Sequence, residues 1–435
     1  MSSAMRILLC AVGAIAAFVL IACGSSSSST TPASVRVVNT TASAVSLTLS
    51  GAYGLSNVPS NSGSGYEQVT PGVYGVSVSS ADPLVHGGQA FNWPFGTAEA
   101  YSVIAYQRGT DVYGFPITDN MTTPAGNYFT LDVANVSPDA GALDVYLLPP
   151  GTTSLQNQTA TFFSAESLTT TTPATLIPGS YNIIVTGAGN PNDVRISLIG
   201  NGGAGAVPFS QSQVATLVFT DTPGGLLVNA FVITQGGGVS AYPATQARVR
   251  VMSAVPSGDE VLVAVDGTDL NAVYNFVPTQ YALVNAGAGT GVTSVTVSGT
   301  LAITAPAGAL TPGQDYTILV YGDGATTAGT FAELLPDSNL VIQNYASMRV
   351  INGAYTGAGG VSLIVNSKQV TSAPVLYGAA SGYVGATPMS SASVELIGSS
   401  YNQIALPNPT NLVSGAVYTV FLYSATSPPQ IIEDR

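Results

Sequence analysis

The chain has 435 residues, of which 46% are hydrophobic and only 7% are charged, a balance that excludes an intrinsically disordered protein. Its net charge is -13 and Lys368 is its single lysine, so a nucleic acid is not an expected partner, because a polyanion would be repelled. The length fits three or four domains of ordinary size. With 48 glycines and 27 prolines, the composition favours short strands and many turns over helices.

The N-terminal segment has the pattern of a secretory signal peptide. One positive charge at Arg6 precedes an apolar run from Ile7 to Ala22. The run is shorter than the roughly 20 apolar residues of a membrane-spanning helix, and an uncleaved anchor is the alternative. Leu20 to Gly24, which reads Leu-Ile-Ala-Cys-Gly, resembles the lipobox of bacterial lipoproteins. The resemblance implies that residues 1–22 are removed and that Cys23 is acylated as the first residue of the mature protein.

A tether begins at the cysteine. Residues 23–33 are rich in serine and threonine, and such a flexible segment spans roughly 15 to 20 Å. The several acyl chains that the lipoprotein resemblance implies make a stable membrane anchor, which one chain alone would not. We therefore expect a lipid-anchored protein of the cell envelope, at the outer membrane if the cell has two, because Gly24 rather than aspartate follows the cysteine. The other cysteine, Cys10, lies in the signal, so the mature domains must fold without disulfides.

From Ser34 onward the sequence repeats a strand-like start. Its four copies lie at intervals of 96, 118 and 99 residues and begin at Val35, Leu131, Val249 and Met348. A second strand follows each start about ten residues later. In the first copy, apolar and polar residues alternate from Val45 to Leu49, which is the period of a strand with one buried face. The repeats predict four domains, at residues 34–126, 127–244, 245–343 and 344–435.

Two more strands recur in each copy. In the first two copies the third strand follows Pro71-Gly72 and Pro178-Gly179, pairs that turn the chain. The closing strands are aromatic or β-branched, as from Tyr316 to Tyr321. Strands of about five residues between such turns predict an all-β fold of tandem antiparallel immunoglobulin-like β-sandwiches. A β-propeller is the alternative, but its blades of about 45 residues do not match the spacing of the repeats.

The order and spacing of these motifs resemble the DUF4397 family, a bacterial domain of unknown function that occurs singly or in tandem in exported proteins and lipoproteins. The resemblance covers most of residues 34–435. It rests on the Val-Arg-Val starts, on the Tyr-Thr-Ile or Ala-Thr-Leu closing strands, and on Ser137 to Ala140, Asp144 to Tyr146 and Val265 to Thr268. The resemblance implies an all-β domain, and it brings no assigned activity and no functional residues.

The residues that offer chemistry do not form a recognisable catalytic or metal-binding motif. The single histidine, His86, has no nucleophile motif beside it. The glycines from Gly287 to Gly291 precede a predicted strand rather than the helix N-terminus that a phosphate-binding loop needs. Calcium needs six to eight converging oxygens, more than the loosely spaced acids supply. These acids are Asp259, Glu260, Asp266, Asp269, Asp315 and Asp323. No catalytic residue, cofactor or metal site is therefore predicted.

The strongest local binding signal is an aromatic cluster that includes the single tryptophan. Phe91, Trp93 and Phe95 lie in the segment from Ser79 to Ala100, where the recurrent strands leave room for a loop. Exposed aromatic side chains on a loop are typical binding anchors, for example against a sugar or a protein partner. The alternative, which we favour, is that Trp93 covers the open end of the first sandwich core.

The sequence therefore predicts a non-enzymatic envelope lipoprotein. Its tandem sandwiches would serve binding, adhesion or structural spacing at the membrane surface, with an envelope protein or a glycan as partner. One alternative is an envelope polysaccharide hydrolase that uses scattered carboxylates, which a sequence alone does not reveal. Another is a scaffold for a second envelope protein, recruited by strand addition to a sheet edge.

Overall fold

A computed structural model describes residues 31–51, 53–199, 206–256, 259–274, 276–354, 359–398, 404–406 and 410–435. The predicted signal peptide and Cys23 lie outside the described residues. Within the described residues the chain forms forty strands, which confirms the predicted all-β class. No helix in the same residues is long and apolar enough to cross a membrane.

The strands group into four sandwiches, called units 1 to 4. Unit 1 contains β1 (Ala33–Asn39), β2 (Val45–Leu49), β3 (Tyr53–Val58), β4 (Ser62–Gly63), β5 (Glu67–Val69), β6 (Gly72–Ser80), β7 (His86–Gly87), β8 (Phe91–Phe95), β9 (Ala100–Arg108) and β10 (Asp111–Thr118). Unit 2 contains β11 (Phe129–Asn135), β12 (Leu143–Leu148), β13 (Phe162–Ala165), β14 (Thr169–Thr170), β15 (Ala174–Leu176), β16 (Gly179–Gly187), β17 (Val194–Leu198), β18 (Val207–Phe209), β19 (Val214–Asp221), β20 (Val228–Thr234) and β21 (Val239–Tyr242).

The second half of the chain repeats this pattern. Unit 3 contains β22 (Gln246–Ala254), β23 (Val261–Val265), β24 (Thr268–Asp269), β25 (Ala282–Asn285), β26 (Val292–Val297), β27 (Leu301–Ile303), β28 (Asp315–Gly322) and β29 (Thr330–Asp337). Unit 4 contains β30 (Ala346–Asn352), β31 (Val361–Val365), β32 (Lys368–Gln369), β33 (Ala379–Ala380), β34 (Val384–Ala386), β35 (Met389–Ala392), β36 (Val394–Gly398), β37 (Ile404–Ala405), β38 (Thr410–Leu412), β39 (Val417–Leu422) and β40 (Gln430–Glu433).

Each unit contains two main sheets in the same arrangement, and unit 4 has a further two-stranded sheet of β35 and β38. In the first sheet the opening strand pairs in parallel with a late strand, β1 with β9 in unit 1, and that late strand forms an antiparallel hairpin with its successor. The same parallel pair recurs in the other three units. The second sheet is antiparallel and contains β2 and β6 in unit 1. The immunoglobulin-like strand order is not confirmed, because the first two strands lie in opposite sheets, whereas strands A and B of that fold are neighbours.

Every unit has its own hydrophobic core between its two sheets. In unit 1, Val35 and Val37 of β1 face Leu47 of β2 across this core. The other units have equivalent clusters of buried residues. Alternate residues of each opening strand point into the core, as the period of a strand requires. The sandwich architecture therefore follows from the alternation visible in the sequence.

The remaining residues of the opening strands are buried as well, because the units pack in pairs. Units 1 and 2 share a second cluster in which Val38 and Ile104 pack with Val218 and Phe231. Units 3 and 4 share the equivalent cluster, which includes Leu319, Ile351 and Phe421. The first sheet of each unit is therefore covered on both faces, by its own core and by the neighbouring unit.

Backbone contacts join unit 2 to unit 3. The Gly224 N–H donates a hydrogen bond to the Gly313 carbonyl at 2.9 Å, and the Asn339 N–H donates to the Gly224 carbonyl at 2.9 Å. A Cβ at position 224 would lie 2.7 Å from the Asp315 nitrogen and 2.8 Å from the Gly313 oxygen, closer than a side chain tolerates. Glycine at this position allows the two pairs of units to approach at a turn of unit 2.

Candidate functional site

The aromatic cluster lies on strand β8 rather than in a loop. Trp93 is paired with Tyr74 of β6, and the side chains of Phe91, Trp93 and Phe95 pack against the core of unit 1. Phe95 is only 2% exposed, and its ring meets Tyr101 edge-on at a centroid distance of 5.0 Å. This arrangement favours the packing alternative for Trp93. A binding role for the partly exposed aromatic rings stays a prediction.

Trp93→Ala is expected to cost unit 1 about 3 kcal/mol, near the lower end for large aromatic deletions because the ring is only half-buried. Chemical denaturation followed by circular dichroism measures this loss. The control is Phe163→Ala, since Phe163 is 63% exposed and its truncation should change stability by less than about 0.5 kcal/mol. Unchanged stability in Trp93→Ala would contradict the packing role and revive the binding interpretation.

The other sequence candidates lie apart from one another. His86 is exposed, with its Nδ1 3.5 Å from Asp111 Oδ1. Asp323 accepts hydrogen bonds from the backbone N–H groups of Ala325 and Thr326, which lower its pKa to about 2. Gly287 to Gly291 precede strand β26. Among the described residues, no group of three or more His, Cys, Asp or Glu side chains is arranged to hold a metal ion.

The most elaborate polar cluster is buried between units 3 and 4. We call it the 3–4 cluster and define it as Arg250, Arg349, Asp337 and Asp434. The two arginines occupy the same position of their opening strands, and each contacts the carboxylate of the other unit. Arg250 Nη1 lies 2.5 Å from Asp434 Oδ1, and Arg349 Nη2 lies 2.5 Å from Asp337 Oδ1. The cluster thus contains two cations, two anions and an approximate two-fold relation.

Hydroxyl groups complete the 3–4 cluster. Thr317 Oγ1 and the Tyr281 hydroxyl donate to Asp337 at 2.6 and 2.5 Å. Burial alone would raise the pKa of Asp337, but the guanidinium groups of Arg349 and Arg250 and these hydrogen bonds hold it below its ordinary value. The carboxylate is therefore ionised in an interface that excludes water, and the surrounding donors compensate its charge.

The corresponding cluster between units 1 and 2 has a different composition. We call it the 1–2 cluster and define it by its charged members, Arg36 and Asp119 of unit 1 and Asp132 of unit 2. Arg36 Nε donates to Ser102 Oγ at 2.7 Å, and Ser102 Oγ donates to Asp119 at 2.9 Å. The Tyr66 hydroxyl is hydrogen-bonded to Asp119 at 2.6 Å. Asp132 occupies the position that an arginine holds in the other three opening strands.

A third polar contact joins both pairs of units. Arg108 of unit 1 binds Asp139 of unit 2 through Nε–Oδ2 and Nη2–Oδ1 contacts of 2.5 and 2.8 Å. Arg108 also donates to the Val341 carbonyl, and the Val341 N–H donates to Asp139 at 2.7 Å. Val341 lies in the segment that connects β29 of unit 3 to β30 of unit 4. Nearby, burial and the charge of Asp139 raise the pKa of Asp221 to about 7.

The arginines of the described residues are thus internal. Six form ion pairs with aspartates. The seventh, Arg435, donates to the Asn339 carbonyl at 3.1 Å. All seven are buried or half-buried, whereas Lys368 is exposed, as are acidic residues such as Glu67, Glu166 and Glu433. The described surface is therefore strongly acidic, with Lys368 as its one fully exposed lysine or arginine side chain.

A cleft of about 560 Å³ lies between units 2 and 3 and has no charged side chain in its lining. Its apolar part includes Leu155, Ile184 and Val194, which belong to a patch on the outer face of the second sheet of unit 2. Uncharged polar side chains such as Asn192 and Gln246 border this patch. The combination suits a ligand that is neutral and partly apolar.

The fold and these clusters define an all-β protein of paired sandwiches with polar groups sealed between them. Residues 33–146 match the family model described as "Domain of unknown function (DUF4397)", which supports the resemblance found in the sequence over this part of the chain. The matched residues cover unit 1 and extend into β12 of unit 2. No curated protein matches the chain.

The interpretation of the sequence missed the interface clusters, although the sequence itself contains a signal for them. Each opening strand carries a charged residue in an apolar run, at Arg36, Asp132, Arg250 and Arg349. A charge on an outward face of a sandwich is unremarkable by itself. The same position charged in every repeat indicates a shared environment, and the structure places all four side chains in buried interfaces.

Proposed function

We propose that the protein is a non-enzymatic lipoprotein of the cell envelope that presents a compact body of four sandwiches for binding at the membrane surface. The distribution of charge carries this proposal, since the described arginines lie in internal contacts, three of them in ion pairs between units, and the exposed charges are mainly acidic. Anionic lipid headgroups repel such a surface. The lipid at Cys23 would therefore hold the body near the membrane, while repulsion keeps its faces free for a partner.

We place the binding surface at the cleft between units 2 and 3, with an uncharged segment of another envelope protein as its ligand. Sugar-binding sites usually offer aromatic rings for stacking, and the side chains that line this cleft are aliphatic or small and polar. A cleft lined by aliphatic side chains and bordered by amide groups suits an extended peptide. The apolar side chains of the peptide would pack against the aliphatic residues, and its backbone would hydrogen-bond to the amide groups.

Cys23→Ser tests the anchor. Replacing the acylated sulfur is expected to move the mature protein into the soluble fraction or to leave an uncleaved precursor, because the protein loses its hydrophobic attachment. Membrane fractionation and detergent phase partitioning measure the result. The control is Cys10→Ser, which changes the other cysteine and should leave the protein in the membrane fraction. Unchanged processing and partitioning of Cys23→Ser would contradict the lipoprotein assignment.

A peptide-display selection against the soluble chain from Ser34 tests the cleft. Selected uncharged peptides should bind the wild-type chain, and binding should weaken at least tenfold in Asn192→Ala combined with Gln246→Ala. Asn92→Ala, which alters an exposed amide on unit 1, is the matched control. Equal binding by the cleft variant, or binding of neutral oligosaccharides in place of peptides, would contradict this assignment of the ligand.

A further inference from the structure

The two unit interfaces use the same positions but differ in charge. In the 3–4 cluster, two arginines face two aspartates, so the buried charges cancel. In the 1–2 cluster, Asp132 replaces the second arginine, and Gln235 stands where Asp119, Asp337 and Asp434 stand in the other units. The described part of this cluster therefore holds Arg36 against two carboxylates, with an excess of one negative charge.

The position of Asp132 makes this excess unfavourable. Asp132 lies opposite Thr216 in its sheet as Arg349 lies opposite Thr419, so Asp132 holds the position on the side of Asp119 that Arg349 holds on the side of Asp337. Arg36 is directed at other groups, since its Nε donates to Ser102 Oγ, its Nη1 donates to the Thr234 carbonyl, and its Nη2 lies 3.9 Å from Asp119 Oδ1. The groups around Asp132 are Thr216 of its own unit, which hydrogen-bonds it, and Asp119 across the interface, beside Tyr66 and Arg36. Two carboxylates in one buried space favour a proton on one of them.

We propose that the contact between units 1 and 2 is proton-dependent, closed when Asp132 is neutral and loosened when it ionises opposite Asp119. A proton on Asp132 supplies the charge balance that Arg349 supplies between units 3 and 4. The interface between units 1 and 2 thus responds to pH. The equivalent interface between units 3 and 4 stays closed because its two arginines balance its two aspartates. The neutral form closes the interface in mildly acidic surroundings.

The electrostatics support this assignment. Burial raises the pKa of Asp132 to about 6, hydrogen bonds from Thr216 and its own backbone oppose this effect, and the charge of Asp119 adds to it. An acid with a raised pKa in the folded state stabilises the fold fully below its unfolded pKa and loses this contribution as pH rises through the folded pKa. The window for Asp132 is therefore about pH 4 to 6. Asp221, beside Asp139, Arg108 and Tyr106, acts in the same direction up to about pH 7.

The test measures both interfaces in the full-length chain. Samples are equilibrated in denaturant between pH 4 and 7.5, and a short hydrogen-exchange pulse at one common pH reports the folded fraction separately for peptides from β9 and β28. The folded-to-unfolded ratio of β9 is expected to fall as pH rises. In Asp132→Asn this fall should be smaller by about 100-fold, which corresponds to a pKa shift of about two units. Peptides from β28 should not share the change.

Two further variants keep the proposal falsifiable. Asp132→Arg combined with Gln235→Asp rebuilds the arrangement of the 3–4 cluster and should make β9 more protected than wild type at pH 7.5. If Asp132→Asn does not fold, Asp119→Asn replaces it, because loss of the facing carboxylate should move the β9 transition to lower pH. The proposal is overturned if wild type and Asp132→Asn show the same pH dependence, or if the folded chain with Asp132→Arg and Gln235→Asp is less protected than wild type at pH 7.5.

Discussion

Replacing Asp337 with alanine is expected to lower the free energy of unfolding of units 3 and 4 by about 3 to 5 kcal/mol, because it breaks a buried ion pair by removing one partner. The side chains of Asp337 and Arg349 are 0% and 1% exposed. Without the carboxylate, Arg349 is left as a buried cation, and the hydroxyls of Tyr281 and Thr317 lose their acceptor. Urea unfolding followed by circular dichroism measures this loss.

The matched control for Asp337→Ala lies on the same strand. Glu333 is exposed on β29, so Glu333→Ala should cost less than about 1 kcal/mol. Arg349→Ala, in turn, should cost about as much as Asp337→Ala, and the double variant should cost clearly less than the sum, because the two residues act as one unit. An Asp337→Ala protein as stable as its Glu333→Ala control would show that the cluster contributes little to the interface.

Unit 3 alone is expected to be far less stable than units 3 and 4 together. Cutting the chain to residues 245–343 exposes Met252, Leu319 and Tyr321, which are buried against unit 4 in the intact protein. Exposing each large apolar side chain costs roughly 1.5 to 3 kcal/mol, so the fragment should lose on the order of 5 kcal/mol. Thermal melting of this fragment beside residues 245–435 measures the difference.

Unit 1 provides an independent check of the same effect. Residues 34–126 should melt well below residues 34–244, because Val38 and Ile104 lose the partners that unit 2 provides. Equal melting temperatures for single units and pairs would mean that the shared clusters contribute little. Each unit would then fold as a separate domain, as the four sequence repeats predict.

The sequence predicted the strands because a two-residue period is a local signal. The alternation from Val45 to Leu49 identifies strand β2 and its buried face without any knowledge of distant residues. The opening strands carry a mixed signal. In β1, Val35 and Val37 face the core, while Arg36 and Val38 face unit 2. Both faces are therefore buried, and the sequence of the strand lacks a clear alternation of apolar and polar residues.

The pairing of units and the parallel strands could not be read from the sequence. Strand β1 meets β9 across more than sixty residues, with Val35 opposite Tyr101, and no local turn records this contact. Trp93 was expected in a loop because the recurrent strands leave room for one between Ser79 and Ala100, and Pro94 follows it. Strand β8 accommodates this proline because it lies at the edge of its sheet, where one side needs no hydrogen-bond donor.

The polar clusters were hidden for a related reason. A carboxylate at the end of one hairpin and an arginine in another repeat, such as Asp434 and Arg250, are separated by 184 residues. Their proximity depends on how two complete sandwiches pack. In the sequence, only the charged residue that recurs in every opening strand indicates a shared buried environment. That recurrence does not identify the side chain that each charged residue contacts.

Scanning calorimetry of the whole chain tests most directly whether the sandwiches are held in pairs. The ratio of the calorimetric to the van't Hoff enthalpy gives the number of units that unfold independently. The buried faces and ion-pair clusters between the units predict a ratio of two or less, with each pair melting as one unit. A ratio near four would contradict the paired architecture, if Asp337→Ala also shifts the transition of unit 3 and leaves the other three transitions unchanged.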